Sequence, residues 1–143
     1  MIKGFHHTGF VVADLETAVA FYRDVVGLEE QGRYERIGEG IQQVVGYDDA
    51  HLQIALMGAG GQHNLELIQY LSPSSAQRPT NERSVQGATH LCIQVDDIET
   101  IFETLMSNGA KKLNPPKELA PGRTACYLQD PDGNWLELLQ LDS

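Results

Sequence analysis

An internal duplication constrains this chain more than any other feature of its 143 residues. His7 stands seven residues before Asp14-Leu15-Glu16-Thr17, and His90 stands seven residues before Asp97-Ile98-Glu99-Thr100, so both pairs recur at one offset of 83 residues. A second echo, Leu65-Glu66-Leu67-Ile68-Gln69 against Leu136-Glu137-Leu138-Leu139-Gln140, recurs at 71, which makes the second copy twelve residues shorter internally. A repeat of this kind means one supersecondary unit used twice, and it has to be found before any single element is assigned.

Each copy reads as a strand, a helix and further strands. Phe10-Val11-Val12 and Leu91-Cys92-Ile93-Gln94-Val95 carry the apolar and β-branched residues of a half-buried strand. Asp14 and Asp97 follow as helix N-caps. Ile98, Ile101, Phe102, Leu105 and Met106 then form one apolar stripe that ends at Gly109, and Leu15, Ala18, Val19, Tyr22, Val25 and Val26 form its counterpart, ending at Gly27. Strands are expected near residues 29–37, 51–57 and 64–71 in the first copy, and near 110–114, 124–129 and 135–141 in the second. Asp130-Pro131-Asp132-Gly133 marks the last turn. Residues 38–47 read as an insertion with a short helix. The expected organisation is a single domain over 1–143, with module one at about 1–71, a connector at 72–87 and module two at about 88–143.

Within a strand, alternate residues share a face, so neighbours two positions away define what a polar side chain meets. Glu66 shares its face with Ile68 and Tyr70, and Glu137 with Trp135, Leu139 and Leu141. A carboxylate among apolar groups is costly without a countercharge or a metal. His7 and His90 occupy matching positions in the repeat, with small neighbours on their faces. Two imidazoles and two carboxylates suit a divalent ion such as Zn, Ni, Co, Mn or Fe(II), with positions left open to water or substrate. His7, Glu66, His90 and Glu137 are therefore the expected metal ligands, one ion per site, and Glu137 and Glu66 the candidate catalytic bases.

The remaining polar residues carry weaker expectations. His6 is off register and is expected on the opposite side of the sheet, and His51 and His63 are expected to be solvated. Among Arg33, Arg36, Arg83 and Arg123, any of which could neutralise an anionic group, Arg123 after Pro121-Gly122 is singled out for substrate binding. Tyr70, Tyr127 and Trp135 are candidate pocket walls. Cys92 and Cys126, lying singly in apolar runs without C-x-x-C spacing, are expected to be reduced packing residues. The formal net charge of −10 argues against nucleic acid or an anionic membrane as partner. No stretch reaches the roughly 18 apolar residues of a membrane span, and no secretory leader is evident at the N-terminus, so a cytoplasmic location is the expectation.

These residues resemble a known superfamily over essentially the whole chain. Phe5-His6-His7-Thr8-Gly9-Phe10-Val11-Val12-Ala13-Asp14-Leu15, with Phe21-Tyr22-Arg23-Asp24-Val25-Val26-Gly27-Leu28, is similar to the opening of the vicinal-oxygen-chelate domains, which include glyoxalases, bleomycin-resistance proteins and extradiol dioxygenases. Asp130-Pro131-Asp132-Gly133-Asn134-Trp135-Leu136-Glu137 resembles their final hairpin, whose glutamate is a metal ligand in catalytic members. The resemblance implies an α+β fold of two βαβββ modules forming an open, cupped mixed sheet around a metal, and a homodimer. It also implies a lyase or isomerase that moves a proton next to a carbonyl while the metal stabilises an enediolate, with a small-molecule substrate. Glyoxalase I resembles this chain in using His, Glu, His and Glu, and methylmalonyl-CoA epimerase is close in ligand pattern. The alternatives are a non-catalytic drug- or metabolite-binding protein, since fold does not imply function, and a ring-cleaving dioxygenase. Against the latter stands Glu66, where extradiol enzymes keep the position free.

Overall fold

The computed structural model describes residues 1–142 and divides into two compact units, Met1–Gln77 and Arg78–Ser143. The first begins with β1 (His7–Val11), whose chain turns at Asp14 into α1 (Leu15–Ala20). It continues with β2 (Glu29–Ile37), α2 (Glu39–Val45), β3 (His51–Gly58) and β4 (Asn64–Ser72). These strands form one mixed sheet in the order β1-β4-β3-β2, β1 running parallel to β4 and the other pairs antiparallel. The second unit holds β5 (Leu91–Gln94), α3 (Ile98–Ser107), β6 (Lys111–Lys112), β7 (Lys117–Ala120), β8 (Arg123–Gln129) and β9 (Trp135–Leu141). Its five-stranded sheet runs β5-β9-β8-β6, with β7 also paired to β8. Each unit thus places its first strand parallel to its last, and α1 or α3 is the crossover from the first strand to the second. The α+β class is that expected from the repeat, and neither sheet closes on itself as a barrel. No helix of the described residues is long and apolar enough to cross a membrane.

Strand alternation explains why each sheet has one packed face. In β4, Leu65 and Leu67 are buried, and in β9 so are Leu136 and Leu138. The α1 residues Leu15, Ala18 and Val19 are buried in the first unit, and Ile98, Phe102 and Leu105 of α3 in the second. The helices start where the sequence places their caps. The Asp14 carboxylate accepts from the Thr17 backbone N–H at 2.8 Å, and Asp97 from that of Thr100 at 3.1 Å, each satisfying a donor that the first turn leaves open. Those hydrogen bonds hold both carboxyls below the ordinary aspartate range.

A second fastening also repeats. Gln69 Oε1 accepts from the backbone N–H of Leu15 at 2.8 Å, and Gln140 Oε1 from that of Ile98 at 2.9 Å. Each glutamine lies three residues past a candidate ligand glutamate, hence on the opposite, helix-facing side of its strand. In a Gln140→Ala variant the Ile98 N–H loses its acceptor, and a stability loss of about 0.5–1.5 kcal/mol is expected. Thermal unfolding would show it, and an unchanged melting temperature would mean that water replaces the amide without loss.

Several local expectations need correction. The first helix is not uniform: after Ala20 the chain widens into a π-helical segment, Phe21–Val25, closed by the Val26 N–H on the Phe21 carbonyl at 3.1 Å. A five-residue step is invisible to a reading based on 3.6-residue periodicity, and both Phe21 and Tyr22 remain buried through it. Between the strands expected near 110–114 and 124–129 lies β7, an exposed strand of Lys, Glu, Leu and Ala without an apolar pattern of its own. Cys126 is buried, and burial pushes its thiol pKa up to about 11, but Cys92 is exposed and is not a packing residue.

Candidate functional site

Each unit brings one histidine and one glutamate together on the sheet face away from its crossover helix. In the first, the β1–β4 register sets Gly9 opposite Glu66, two positions beyond His7. His7 Nε2 lies 3.3 Å from Glu66 Oε2. In the second, His90 precedes β5, Cys92 is set opposite Glu137, and His90 Nε2 lies 3.1 Å from Glu137 Oε2. The carboxylates are mostly covered, with side chains 18% and 15% exposed, whereas the imidazoles are 40% and 42% exposed. In both pairs the imidazole is thus the more exposed partner and the carboxylate the recessed one. Among the described residues no three His, Cys, Asp or Glu side chains cluster as a metal site, so what the structure brings together is two pairs.

The geometry of each pair can be tested against a metal. Donors at about 2.0–2.2 Å from one ion and in neighbouring coordination positions lie roughly 2.8–3.6 Å apart. Both Nε2–Oε2 separations fall in that interval. Nitrogen and carboxylate oxygen are also the donor set that intermediate divalent ions accept. The residues fit.

Neighbouring groups orient these pairs. His6 Nδ1 and His7 Nδ1 are 2.8 Å apart, with the rings edge to face at a centroid distance of 5.0 Å. His6 is thus not across the sheet, as expected from its register, but beside His7, because it lies before β1 begins and strand alternation does not reach it. One ring donates and the other accepts, which leaves His7 Nε2 for Glu66, the arrangement that ligand histidines need from an outer partner. In the second unit the Tyr127 hydroxyl lies 3.2 Å from His90 Nε2 and donates to Glu137 Oε2 at 3.5 Å. Burial, then the charge of Glu137, holds the Tyr127 phenol above its ordinary pKa.

The walls differ between units. Gly9 leaves open the space over Glu66: a Cβ there would lie 3.3 Å from Ile68 Cδ1 and 3.6 Å from Glu66 Oε2. Farther along the same face, α2 lays Ile41 and Val45 with Ile68 and Tyr70 against buried Ala50, Leu52 and Ile54. Tyr70 is therefore part of an apolar wall, and desolvation raises its phenol pKa. In the second unit a cleft of about 390 Å³ is lined by Arg83, Ala88, Thr89, His90, Tyr127 and Trp135. Arg123 opens β8, on the sheet face that also carries Tyr127 and Glu137 but outside that lining, and its charge is felt at Cys92.

Other expectations are placed elsewhere. His51 and His63 are both engaged, His51 Nε2 with Glu35 at 2.7 Å and His63 Nε2 with Thr8 Oγ1 at 2.8 Å. Arg33 is paired with Glu30 and Glu16, and Arg36 lies over the Tyr34 ring. Arg33 is thus not free for an anionic ligand. Arg83, considered with the other arginines but not singled out because its segment has no periodicity, stacks its guanidinium on Trp135 at 4.7 Å.

Comparison with known proteins bears on the family and the fold. Residues 4–138 match the family described as the Glyoxalase/Bleomycin resistance protein/Dioxygenase superfamily. The chain is 31% identical to a 2-epi-5-epi-valiolone epimerase from Actinomyces, over 95% of this chain and 78% of that protein. It is 27% identical to a lactoylglutathione lyase from Pseudomonas aeruginosa, over 95% of this chain and 81% of the other. In fold it is similar to the crystal structure of a glyoxalase family protein from Bacillus cereus, with a TM-score of 0.90, 24% identity, and coverage of 99% and 97% of the two chains.

Proposed function

Since the chain belongs to the glyoxalase/bleomycin resistance protein/dioxygenase superfamily, we propose that it is a metal-dependent lyase or isomerase moving a proton next to a carbonyl of a small substrate. The observation that carries this reading is the repeated His–Glu pair, 3.3 Å in one unit and 3.1 Å in the other. His7 with Glu66, and His90 with Glu137, are the residues that would hold a divalent ion. Relatives named as an epimerase and as a lyase support the reaction class, because both names fit chemistry at a carbon beside an oxygenated one.

Bound there, the ion would act as a Lewis acid on the substrate oxygens and make the neighbouring carbon acidic. The protein's own groups do the remaining work. A carboxylate oxygen of Glu137 or Glu66 takes the proton from carbon and returns it, to another atom or to the other face. The Tyr127 hydroxyl, bonded to Glu137 Oε2, keeps that oxygen oriented while the proton is held. His6 keeps the His7 ring in one orientation through Nδ1. The apolar side chains beside Glu66, Ile68 and Tyr70, restrict competing water on that side.

Elemental analysis of protein purified without a metal-affinity tag tests the reading. About one divalent ion per chain is expected, falling to a small fraction in a His7→Ala, Glu137→Gln double variant. No ion in the wild type, even after reconstitution with Ni, Co, Mn or Zn, would leave the pairs as ordinary hydrogen-bonded contacts and end the proposal.

A further inference from the structure

The cleft beside His90 is not electrostatically neutral. Of its six lining residues, Arg83 is the only permanent cation. Its Nη1 donates to the Asn81 carbonyl at 3.5 Å, and among the described residues it has no carboxylate partner. By contrast, Arg23 is held by Asp24 and Arg33 by Glu30 and Glu16. Arg83 therefore presents an uncompensated positive charge at the cleft.

Arg83 is also held in place. Asn81 Oδ1 accepts from Gln129 Nε2 at 3.1 Å, and the same nitrogen donates to the Gly133 carbonyl at 2.7 Å, so a buried amide ties the segment before Arg83 to the last turn. The guanidinium then lies over the Trp135 ring, which fixes its plane and leaves its edge N–H groups to face a ligand. Trp135 is 4% exposed, and its indole Nε1 is buried without an acceptor. The cleft thus carries a held, uncompensated cation whose edge N–H groups call for an acceptor bearing negative charge.

We infer that this cleft binds a carboxylate at one end of the substrate, with Arg83, stacked on Trp135, as its recognition group and the oxygen-bearing carbons directed toward His90 and Glu137. A single cation fits a single negative charge, and a cleft of about 390 Å³ suits a small acid. The inference rests on the proposed function only for what happens at the other end of the molecule.

Trp135 is the sole tryptophan of the chain, so intrinsic fluorescence reports on this cleft alone. The full chain would be titrated in EDTA with levulinate, with methyl levulinate, and with sodium chloride at matched ionic strength. Levulinate carries its carboxylate and ketone too far apart to act as a vicinal-oxygen chelator, and EDTA removes metal from the comparison. A saturable emission change is expected with the acid and not with the ester or chloride. Arg83→Gln should weaken it at least about tenfold, with Arg83→Lys in between. Equal responses to acid and ester, or unchanged acid binding in Arg83→Gln, would overturn the inference. If Arg83→Gln does not fold, the acid–ester comparison in the wild type decides alone. Because metal content plays no part in this titration, failure of the metal reading and failure of the carboxylate reading are separately visible.

Discussion

Replacing Glu137 by glutamine is expected to lower turnover by about 10²- to 10⁴-fold, the usual contribution of a positioned base, with the fold unchanged. Glutamine keeps the length and shape of the side chain, and the strand around it is secured by Leu136 and Leu138 on the other face. What it loses is the charged oxygen that faces His90 Nε2 and takes the Tyr127 hydrogen bond. Deuterium exchange at the carbon beside the carbonyl, followed by NMR over a panel of hydroxy-ketones and of hemithioacetals, measures proton transfer before the product is known. Glu66→Gln should be assayed beside it, since the two carboxylates occupy equivalent positions in the repeat. If exchange in both variants stayed within a few-fold of the wild type, neither carboxylate could be the base.

The largest effect on stability is expected from Leu138→Ala, at about 2–5 kcal/mol. Leu138 is 1% exposed and neighbours Glu137 on the helix-facing side of β9. Truncation removes three buried carbons where Leu136, Leu128 and Leu105 are all fully buried, so the cavity has no easy way to collapse. Leu67→Ala, in the equivalent position of β4 and 0% exposed, should cost a similar amount. Leu141→Ala, at 43% exposure on the same strand as Leu138, should stay within about 0.5 kcal/mol of the wild type. Urea denaturation followed by far-UV circular dichroism would rank them. A Leu138 loss no larger than that of Leu141 would contradict the burial on which the β9 assignment rests.

Much of this was legible because it repeats. One capped helix or one Leu-Glu-Leu triplet means little, but the same items in two copies made the topology of each unit readable, down to Asp14 and Asp97 as caps. The pairing of His7 with Glu66 and of His90 with Glu137 was foreseeable only as shared membership of one site. That each histidine lies beside the glutamate of its own copy is decided by β1 pairing with β4 and β5 with β9, and parallel pairings leave no local signal. His6 was misplaced because a rule for strands was applied one residue before the strand starts. Arg83 was not singled out because its role depends on Trp135, more than fifty residues away, and on an anchoring amide at Gln129. Side chains held by long-range contacts in irregular segments leave no periodicity to detect.

The glutamines behind the glutamates carry a further consequence. In β4 and β9 alike, one five-residue stretch presents a carboxylate to one face and, three positions later, a carboxamide to the other, where it clasps the first turn of the crossover helix. A slip of either strand by one residue would turn the carboxylate into the leucine core and carry the amide away from its N–H. The clasp therefore acts as a proofreading contact for strand alignment. An alignment that misplaces the reactive side chain also forfeits the hydrogen bond and buries a charge, so the misaligned state is selected against by folding itself, before any substrate arrives.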